Sequence, residues 1–314
     1  QLDEGHGVMA RTVAEVWTQL GQPHQARDQL QDIVTFRESR FGPRDERTLL
    51  ARSTLASAML NSGDLTGART LLLSTTEALT EVCGADHPNT LIARLNLGVA
   101  HSQLQELDAA EAQLEDVAQR FEARGHESLQ LRALANLAHV SLAKRDLPRA
   151  EALQRSVLEA RRRQLDPDHL DMVSAELNLL VTRGHQHGHA ALVEEAGHLY
   201  RRIRSLLRPW HPAVLMSGNL LTMGYSEAGD HARAELILRR LHEDSRRALG
   251  ELHPRTLQLG RNLAHTLYLQ GQLEASIAVL EEVVDGRTRV LGAEHPLTQQ
   301  VVEGLEKLRG LTPG

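Results

Sequence analysis

The feature that most constrains this chain is a short turn motif that recurs at a nearly constant interval. The stretch GADHPNTL at 84–91 returns as GELHPRTL at 250–257 and GAEHPLTQ at 292–299, with weaker copies WHPAVL at 210–215, GPRDERTL at 42–49 and DPDHLDMV at 166–173. The histidine position of this motif is held in turn by Asp45, His87, Glu127, His169, His211, His253 and His295. Successive members of this series are 42, 40, 42, 42, 42 and 42 residues apart. A register kept for so long identifies internal repeats and predicts stacked units.

A second marker lies midway through the units. It reads NSGDLTGA at 61–68, LQELDAAE at 104–111, AKRDLPRA at 143–150, EAGDHARA at 227–234 and LQGQLEAS at 269–276. Between markers, apolar residues recur at steps of three to four, the period of a helix. Each unit is therefore predicted to contain a helix A, a short turn, a longer helix B and then the Gly-x-x-His-Pro turn.

These two markers divide the whole chain, 1–314, into the repeats of one predicted solenoid. The predicted repeats span approximately 6–42, 43–84, 85–125, 126–166, 167–208, 209–250 and 251–292, and a capping helix follows at 296–309.

The composition agrees with helices and excludes some functions. Apolar residues make up 41% of the chain but aromatic residues only 3%, so Leu and Ala must supply most of the buried surface. The net charge of −6 lacks the basic footprint of a nucleic-acid-binding protein, and no apolar run approaches the roughly 18 residues of a membrane helix. We therefore expect a cytoplasmic protein that binds neither nucleic acid nor membranes. The scarcity of lysine is typical of a GC-rich bacterial genome, and the start without Met indicates a fragment of a longer protein.

Small residues at fixed places resemble the tetratricopeptide repeat. Alanine or glycine holds the eighth position of helix A at Ala56, Gly98, Ala138 and Ala264, and alanine opens helix B at Ala68, Ala110, Ala150 and Ala234. The longer unit, with its HP-x-T turn, is similar to kinesin light chain-type repeats, which bacterial regulatory proteins and sensor regions of NB-ARC-type signalling ATPases also carry. This resemblance implies an all-α fold: a right-handed superhelical solenoid of about seven helix-turn-helix repeats and a C-terminal capping helix.

The fifth and sixth repeats depart from this pattern. Leu180 and Leu192 stand where a small residue and an alanine belong, and Thr222 takes the small position of the sixth repeat. The turn of the fifth repeat is rewritten as HQHGH at 185–189. We expect a local bend in the packing of these two repeats.

The His-Pro pairs are interpreted as helix starts. The residue before a proline is pushed to an extended conformation, and proline at the first helical position loses no needed donor. The other interpretation is a row of metal ligands, but successive copies should lie roughly 10 Å apart, the spacing of packed helices, which is too far for one ion.

The weak metal candidates are His185, His187 and His189, because neutral imidazoles bind Zn²⁺ or Ni²⁺. Solvated loop histidines are the alternative interpretation of this run. Cys83, the single cysteine, is interpreted as a packing residue at the end of a helix B. We expect no cofactor.

Asparagines recur at the sixth position of helix A. They are Asn96, Asn136, Asn178 and Asn262, while Thr54 and Leu220 replace them in the second and sixth repeats and Asn219 lies beside Leu220. The resemblance implies that helix A lines a concave groove, where an Asn amide grips the backbone of an extended peptide. The alternative is an Asn that bonds between helices. Neighbouring groove positions are Arg132, His139, Gln103, Gln258, Arg261, His265, Ile92, Val99 and Met223. The Arg and His residues favour a peptide with acidic character.

Enzyme signatures are missing from the sequence: it has no P-loop, no G-x-S-x-G and no H-E-x-x-H. The sequence therefore predicts a non-enzymatic scaffold that binds an extended or helical segment of a protein or peptide in its concave groove. One alternative is the ligand-sensing region of a larger signalling protein, and another is a metal-dependent activity at the histidines of 185–198.

Overall fold

The computed structural model describes residues 23–311, and this part of the chain is helical without a strand. Its helices are α1 (Pro23–Phe41), α2 (Glu46–Ser62), α3 (Leu65–Cys83), α4 (Pro88–Gln103), α5 (Leu107–Ala123), α6 (Glu127–Ala143), α7 (Leu147–Arg162), α8 (Leu170–His187), α9 (Val193–Leu206), α10 (Pro212–Glu227), α11 (His231–Leu249), α12 (Pro254–Leu269), α13 (Leu273–Leu291) and α14 (Pro296–Arg309). The first predicted helix A, before residue 23, lies outside the described residues. Between residues 23 and 311, no helix combines the length and the apolar character of a membrane crossing.

Within each of two parts of the chain, successive helices pack against each other, and the even-numbered helices are A helices while the odd-numbered helices are B helices. The chain divides into two compact units, Gln1–Leu165 and Asp166–Gly314. Unit 1 contains α1–α7 and unit 2 contains α8–α14. Within each unit the buried core consists mainly of Leu, Ala and Val, so the prediction of an all-α repeat fold is confirmed.

The His-Pro turns start helices, as predicted. At His87, His211, His253 and His295 the backbone is extended, and the ring Nδ1 accepts a hydrogen bond from the backbone N–H two residues later at 3.2–3.3 Å. His169 caps α8 in the same way without a proline, at 3.1 Å. These side chains supply an acceptor for a helical N–H that has no partner inside its helix.

The third turn differs from the prediction. Glu127, which the spacing equates with the histidine, is the first residue of α6, and His126 is its N-cap. The His126 side chain makes no capping hydrogen bond, because the turn Arg124–His126 is shorter than the His-Pro turns. Helix α5, with 17 residues, is also shorter than α3, with 19, and the shorter helix and turn together account for the interval below 42.

The small residues of the repeat lie where two helices approach closely. A Cβ atom on Gly98 of α4 would lie 2.8 Å from Leu114 Cγ of α5, a distance that side chains do not tolerate. The alanines at the corresponding positions, Ala56, Ala138 and Ala264, are fully buried, as are Ala68, Ala110, Ala150 and Ala234 at the starts of the B helices. The predicted packing role of these residues is confirmed.

In the sixth repeat, a different residue provides the close approach of helix A to helix B. Thr222 is buried at the nominal small position, but the close approach occurs one turn earlier, at Gly218 of α10. A Cβ atom there would lie 2.6 Å from Leu241 Cδ1 of α11. The contact between helix A and helix B has therefore moved by one helical turn.

The fifth repeat is built around one buried histidine. His185 and His187 lie in the last turn of α8, so the prediction that they occupy a loop is wrong. His189 is only 7% exposed and sits between two glycines: a Cβ on Gly184 would lie 2.6 Å from His189 Cδ2, and one on Gly224 would lie 2.8 Å from His189 O. The prediction of a solvated loop histidine is also wrong at His189.

Glu227, the last residue of α10, stabilises the turn between α8 and α9, the Glu227 corner. Its carboxylate accepts hydrogen bonds from the backbone N–H of His189 (2.5 Å), the backbone N–H of Ala190 (3.0 Å) and His189 Nδ1 (2.6 Å). Burial raises the pKa of Glu227, but the hydrogen bonds from His189 and Ala190 outweigh it, and the pKa lies below its ordinary value. The short 3₁₀ turn Ala190–Leu192 follows and leads into α9.

The capping histidines predict a pH-dependent stability. Burial lowers the pKa of His211 and of His253 in the folded chain, and the nearby Arg255 charge lowers it further. The neutral ring is the form that accepts the capping bond. A lowered folded pKa means that this contribution is complete above the unfolded value near 6.5 and is lost as the pH falls through the folded pKa. We expect urea unfolding to show that the free energy of unfolding falls between pH 7.5 and pH 5.5. It should fall less in H211N/H253N than in the wild type, since Asn caps without titrating. Equal losses in both proteins would contradict this account.

The Glu227 corner predicts a local loss of stability. Glu227→Ala leaves two backbone N–H groups without their acceptor, so we expect the free energy of unfolding to fall by about 1–2 kcal/mol. Hydrogen–deuterium exchange should accelerate first in residues 185–193. The control is Glu159→Ala on the exposed face of α7, which we expect to change stability by less than about 0.5 kcal/mol. Unchanged exchange in residues 185–193 would show that Glu227 does not hold the corner.

Candidate peptide-binding surface

In unit 1, the predicted asparagines lie half-buried on A helices. Asn96 of α4 donates from Nδ2 to Ser53 Oγ of α2 at 3.2 Å. Asn136 of α6 donates to Arg132 O, one turn earlier in its own helix, at 2.9 Å. Helix-to-helix bonding, the alternative considered above, is thus present at Asn96.

In unit 2, the asparagines form a small network. Asn262 of α12 donates from Nδ2 to Asn219 Oδ1 of α10 at 2.6 Å, and its own Oδ1 accepts from Gln258 Nε2 at 3.0 Å. Asn178 lies half-buried in α8. Part of the hydrogen-bonding capacity of Asn262 is therefore used inside the unit, and a second N–H of its amide is the group that a ligand would meet.

The bonds between neighbouring A helices join residues 43 apart, although the turns repeat every 42 residues. The partner of each asparagine is consequently the residue before the equivalent position in the preceding repeat. Ser53 bonds rather than Thr54, and Asn219 bonds while Leu220 is buried. For Asn136 the corresponding residue is the buried Leu95, which offers no polar side chain, and Asn136 bonds within α6 instead.

The other predicted groove residues fall into two sets, one for each unit. Arg132, His139 and Gln103 are exposed on the A helices of unit 1. Gln258, Arg261, Asn262 and His265 share one face of α12 in unit 2, because residues three, four and seven apart lie on one side of a helix. Each unit thus presents its own row of polar side chains.

The α12 face borders an open depression of about 430 Å³ within unit 2. Its lining comprises Arg261, Asn262, His265 and Tyr268 from α12, Ser276 and Leu280 from α13, Gln300, Val301, Gly304, Lys307 and Leu308 from α14, and Leu311. Sequence analysis missed the contributions of Tyr268 and α14, because it treated α14 only as a capping helix. The available signal was the spacing of Tyr268, seven residues after Arg261 on the same helical face.

The depression has an apolar floor and a basic rim. Arg261, His265 and Lys307 are its basic side chains, and none of the described lining residues is acidic. A basic rim of this kind favours a negatively charged ligand group. Arg287 of α13 is buried and donates to Leu297 O at 2.6 Å and to Gln258 Oε1 at 3.3 Å. Burial lowers the pKa of Arg287, and the charge of Arg261 lowers it further.

The predicted metal candidates do not converge. His189 Nδ1 is bonded to Glu227, and the His185 ring meets the His189 ring edge-on at 5.5 Å between centroids. In the described part of the chain, one group places three metal-ligating side chains within 4.8 Å of one another, and it consists of Glu46, Cys83 and His87. Burial and the neighbouring Glu46 carboxylate raise the pKa of the Cys83 thiol.

Among the solved structures that resemble this chain, those with TM-scores above 0.5 have a similar fold. A Rap protein complexed with competence and sporulation factor matches with a TM-score of 0.64 at 10% identity, over 97% of this chain and 87% of that one. A signal transduction ATPase with a tetratricopeptide repeat sensor, from Pyrococcus horikoshii, matches with a TM-score of 0.60 at 15% identity, over 92% of this chain and 44% of that one. Kinesin light chain TPR-like repeats from Podosopora anserina match with a TM-score of 0.39 at 18% identity, over 76% of this chain and 94% of that one.

Family models give a more direct assignment. No curated protein sequence matches this chain. Two models described as tetratricopeptide repeat match residues 47–123, and residues 130–171 and 256–297, together about half of the chain. These matches fall on the hairpins whose turns and small residues define the register above. The chain therefore belongs to the tetratricopeptide repeat family.

Proposed function

We propose that this chain is a protein-interaction module that binds an acidic, extended peptide segment on the exposed faces of its A helices. The basic-rimmed depression of unit 2 supplies the main anchor. The observation that carries the proposal is the combination, in this one depression, of an apolar floor with Arg261, His265 and Lys307 and with no acidic residue among the described lining. A peptide carboxylate at the rim and an apolar side chain on the floor would satisfy both parts.

The asparagines add an anchor that does not depend on the peptide sequence. The amide of Asn136 or Asn178 can donate to a peptide carbonyl and accept from a peptide N–H, since both groups occur in any backbone. Asn262 and Asn219 bond to each other, so they contribute mainly to the packing of α10 and α12. We therefore assign the backbone contacts to Asn136 in unit 1 and Asn178 in unit 2.

A second candidate function is the sensor region of a larger signalling protein in the cytoplasm of a bacterium. The similarity to a signalling ATPase with a tetratricopeptide repeat sensor favours it. In this case the same surfaces would bind the signal, and binding would act on an effector domain elsewhere in the protein. The full reading frame distinguishes the two functions, because a sensor requires an effector domain in the same protein.

Charge reversal of the ligand provides the first test of binding. We expect fluorescence anisotropy to show that a library of extended peptides rich in Asp and Glu binds more tightly than the same library with Lys. We expect Arg261→Ala with Lys307→Ala to weaken binding of the acidic peptides about tenfold, which corresponds to about 1.4 kcal/mol, and added salt to weaken it further. The control is Arg233→Ala, an exposed arginine of helix α11. Equal binding of both libraries would contradict the acidic specificity.

Backbone recognition is tested separately from charge. We expect Asn136→Ala combined with Asn178→Ala to weaken the binding of acidic and of neutral peptides by the same factor. The midpoint of urea unfolding should not change. Asn262→Ala serves as the comparison, because it breaks the bond to Asn219 and should lower the urea midpoint. If the Asn136 and Asn178 variant binds every peptide as the wild type does, the asparagines do not anchor the ligand.

A further inference from the structure

Three side chains with metal-ligating atoms meet at one corner of unit 1. Glu46 is the first residue of α2, Cys83 is the last residue of α3, and His87 directly precedes α4. One ligand atom from each lies within 4.8 Å of the other two, and His87 Nδ1 lies 3.6 Å from a Glu46 carboxylate oxygen. All three residues are half-buried, so the corner is shielded in part from water and is still open to an ion.

Two of these residues are departures from the repeat. The first helical position holds a proline at the His-Pro turns, in Pro88, Pro212, Pro254 and Pro296, whereas α2 begins with Glu46. Two further A helices, α6 and α8, also lack the proline. The residue before the turn glycine is Phe41, Leu249 or Leu291 in other repeats, whereas α3 ends with Cys83. Both departures belong to the predicted repeat 43–84, and the stacking of the next hairpin brings them together beside His87.

We propose that Glu46, Cys83 and His87 bind one divalent transition-metal ion of the zinc class. A thiolate, an imidazole and a carboxylate are ligands that zinc accepts, and three protein ligands leave a fourth position for water. Ligand bonds of about 2.0–2.1 Å imply a tetrahedral edge of about 3.3 Å between nitrogen and oxygen. The 3.6 Å between His87 Nδ1 and the Glu46 carboxylate is already near that length. Cys83 Sγ lies within 4.8 Å of the other two ligand atoms, and zinc–sulfur bonds of about 2.3 Å imply edges of about 3.6 Å, so the thiol must approach by up to about 1.2 Å.

The ion competes with two hydrogen bonds at this corner. His87 Nδ1 accepts from the backbone N–H of Asn89 at 3.3 Å, and a Glu46 oxygen accepts from Asn89 Nδ2 at 2.6 Å. A neutral imidazole has one nitrogen with a free lone pair, so His87 can cap α4 or bind the ion, but not both. The capping bond at His87 is longer than those at His169, His211, His253 and His295, which are 3.1–3.2 Å. Asn89 is therefore the group that must turn to solvent when the ion binds.

The positions of the three ligands also determine which helices the ion would connect. The three ligands come from α2, from α3 and from the turn before α4, so one ion would join the turns at one end of two neighbouring hairpins. The site lies outside the depression of unit 2 and does not depend on the proposed peptide binding.

The experiment is a cobalt titration of the full chain without a histidine tag. We expect one equivalent of Co²⁺ to bind and to produce a thiolate-to-cobalt charge-transfer band with tetrahedral d–d absorption, and we expect Zn²⁺ to displace it. In Cys83→Leu and Glu46→Pro, which introduce the residues that other repeats carry, the wild-type fold should be retained by circular dichroism. We expect the charge-transfer band to vanish in Cys83→Leu, and we expect affinity for Co²⁺ to fall at least tenfold in both variants.

A matched pair of histidine variants separates ligation from capping. His87→Asn and His253→Asn both retain a capping side chain, but only the first removes a ligand next to a cysteine and a glutamate. We expect His87→Asn to lower the affinity at least tenfold and His253→Asn to leave it unchanged. Absence of the charge-transfer band in the wild type, or equal cobalt affinity in the wild type and Cys83→Leu, would overturn the proposal. Binding at His185, His187 and His189 would give the second of these results.

Discussion

The close contact between helix A and helix B within a hairpin is the constraint on which the rest of this structure depends. At Gly98 the neighbouring Leu114 comes so near that a single methyl group would not fit, and buried alanines meet the same requirement in other hairpins. Because aromatic residues are few, burial relies on leucine and alanine packed at short range rather than on large rings. This distance between helices in turn sets which residues of one A helix reach the next. The polar surface is thus a consequence of the apolar packing beneath it.

The hydrogen bonds between neighbouring A helices are offset by one residue from the sequence repeat, which shows how packing decides the polar contacts. The turns recur every 42 residues, while Asn96 and Asn262 bond to residues 43 positions earlier. Neighbouring A helices therefore present slightly different positions to each other, and a polar residue is useful to the fold only if its partner one position earlier is also polar. Asn262 has such a partner in Asn219, whereas the position that corresponds to it for Asn136 holds the buried Leu95. A shared repeat position does not assign a shared role, and we distinguish ligand anchors from packing residues by this criterion.

Much of the fold was accessible from the sequence, because helix starts and close contacts are local properties of a few residue types. The His-Pro turns and the small residues predicted the hairpins of both units correctly. The prediction failed where contacts between distant parts of the chain decide the outcome. His189 is buried because Gly184, Gly224 and Glu227 enclose it, and the last two lie more than 30 residues further along the chain. Likewise, the depression beside α12 requires α14, whose contribution follows from packing and not from the motif. Local spacing also misplaced the start of α6, since both helix α5 and the turn that follows it are shorter than in the preceding repeat.

Departures from a repeat are informative when their physical cause can be identified. The rewritten turn of the fifth repeat has one, because His189 fills the space between α8 and α10 and its backbone is bonded to Glu227. Packing gives no comparable reason for Cys83, because leucine would bury more apolar surface than cysteine at the end of α3. Glu46 follows the N-cap Asp45 of α2 and accepts a hydrogen bond from Asn89 of α4, so it already joins two helices without an ion. A metal ion bound beside His87 would account for Glu46 and Cys83 together, since it would use the carboxylate and the thiol that meet there.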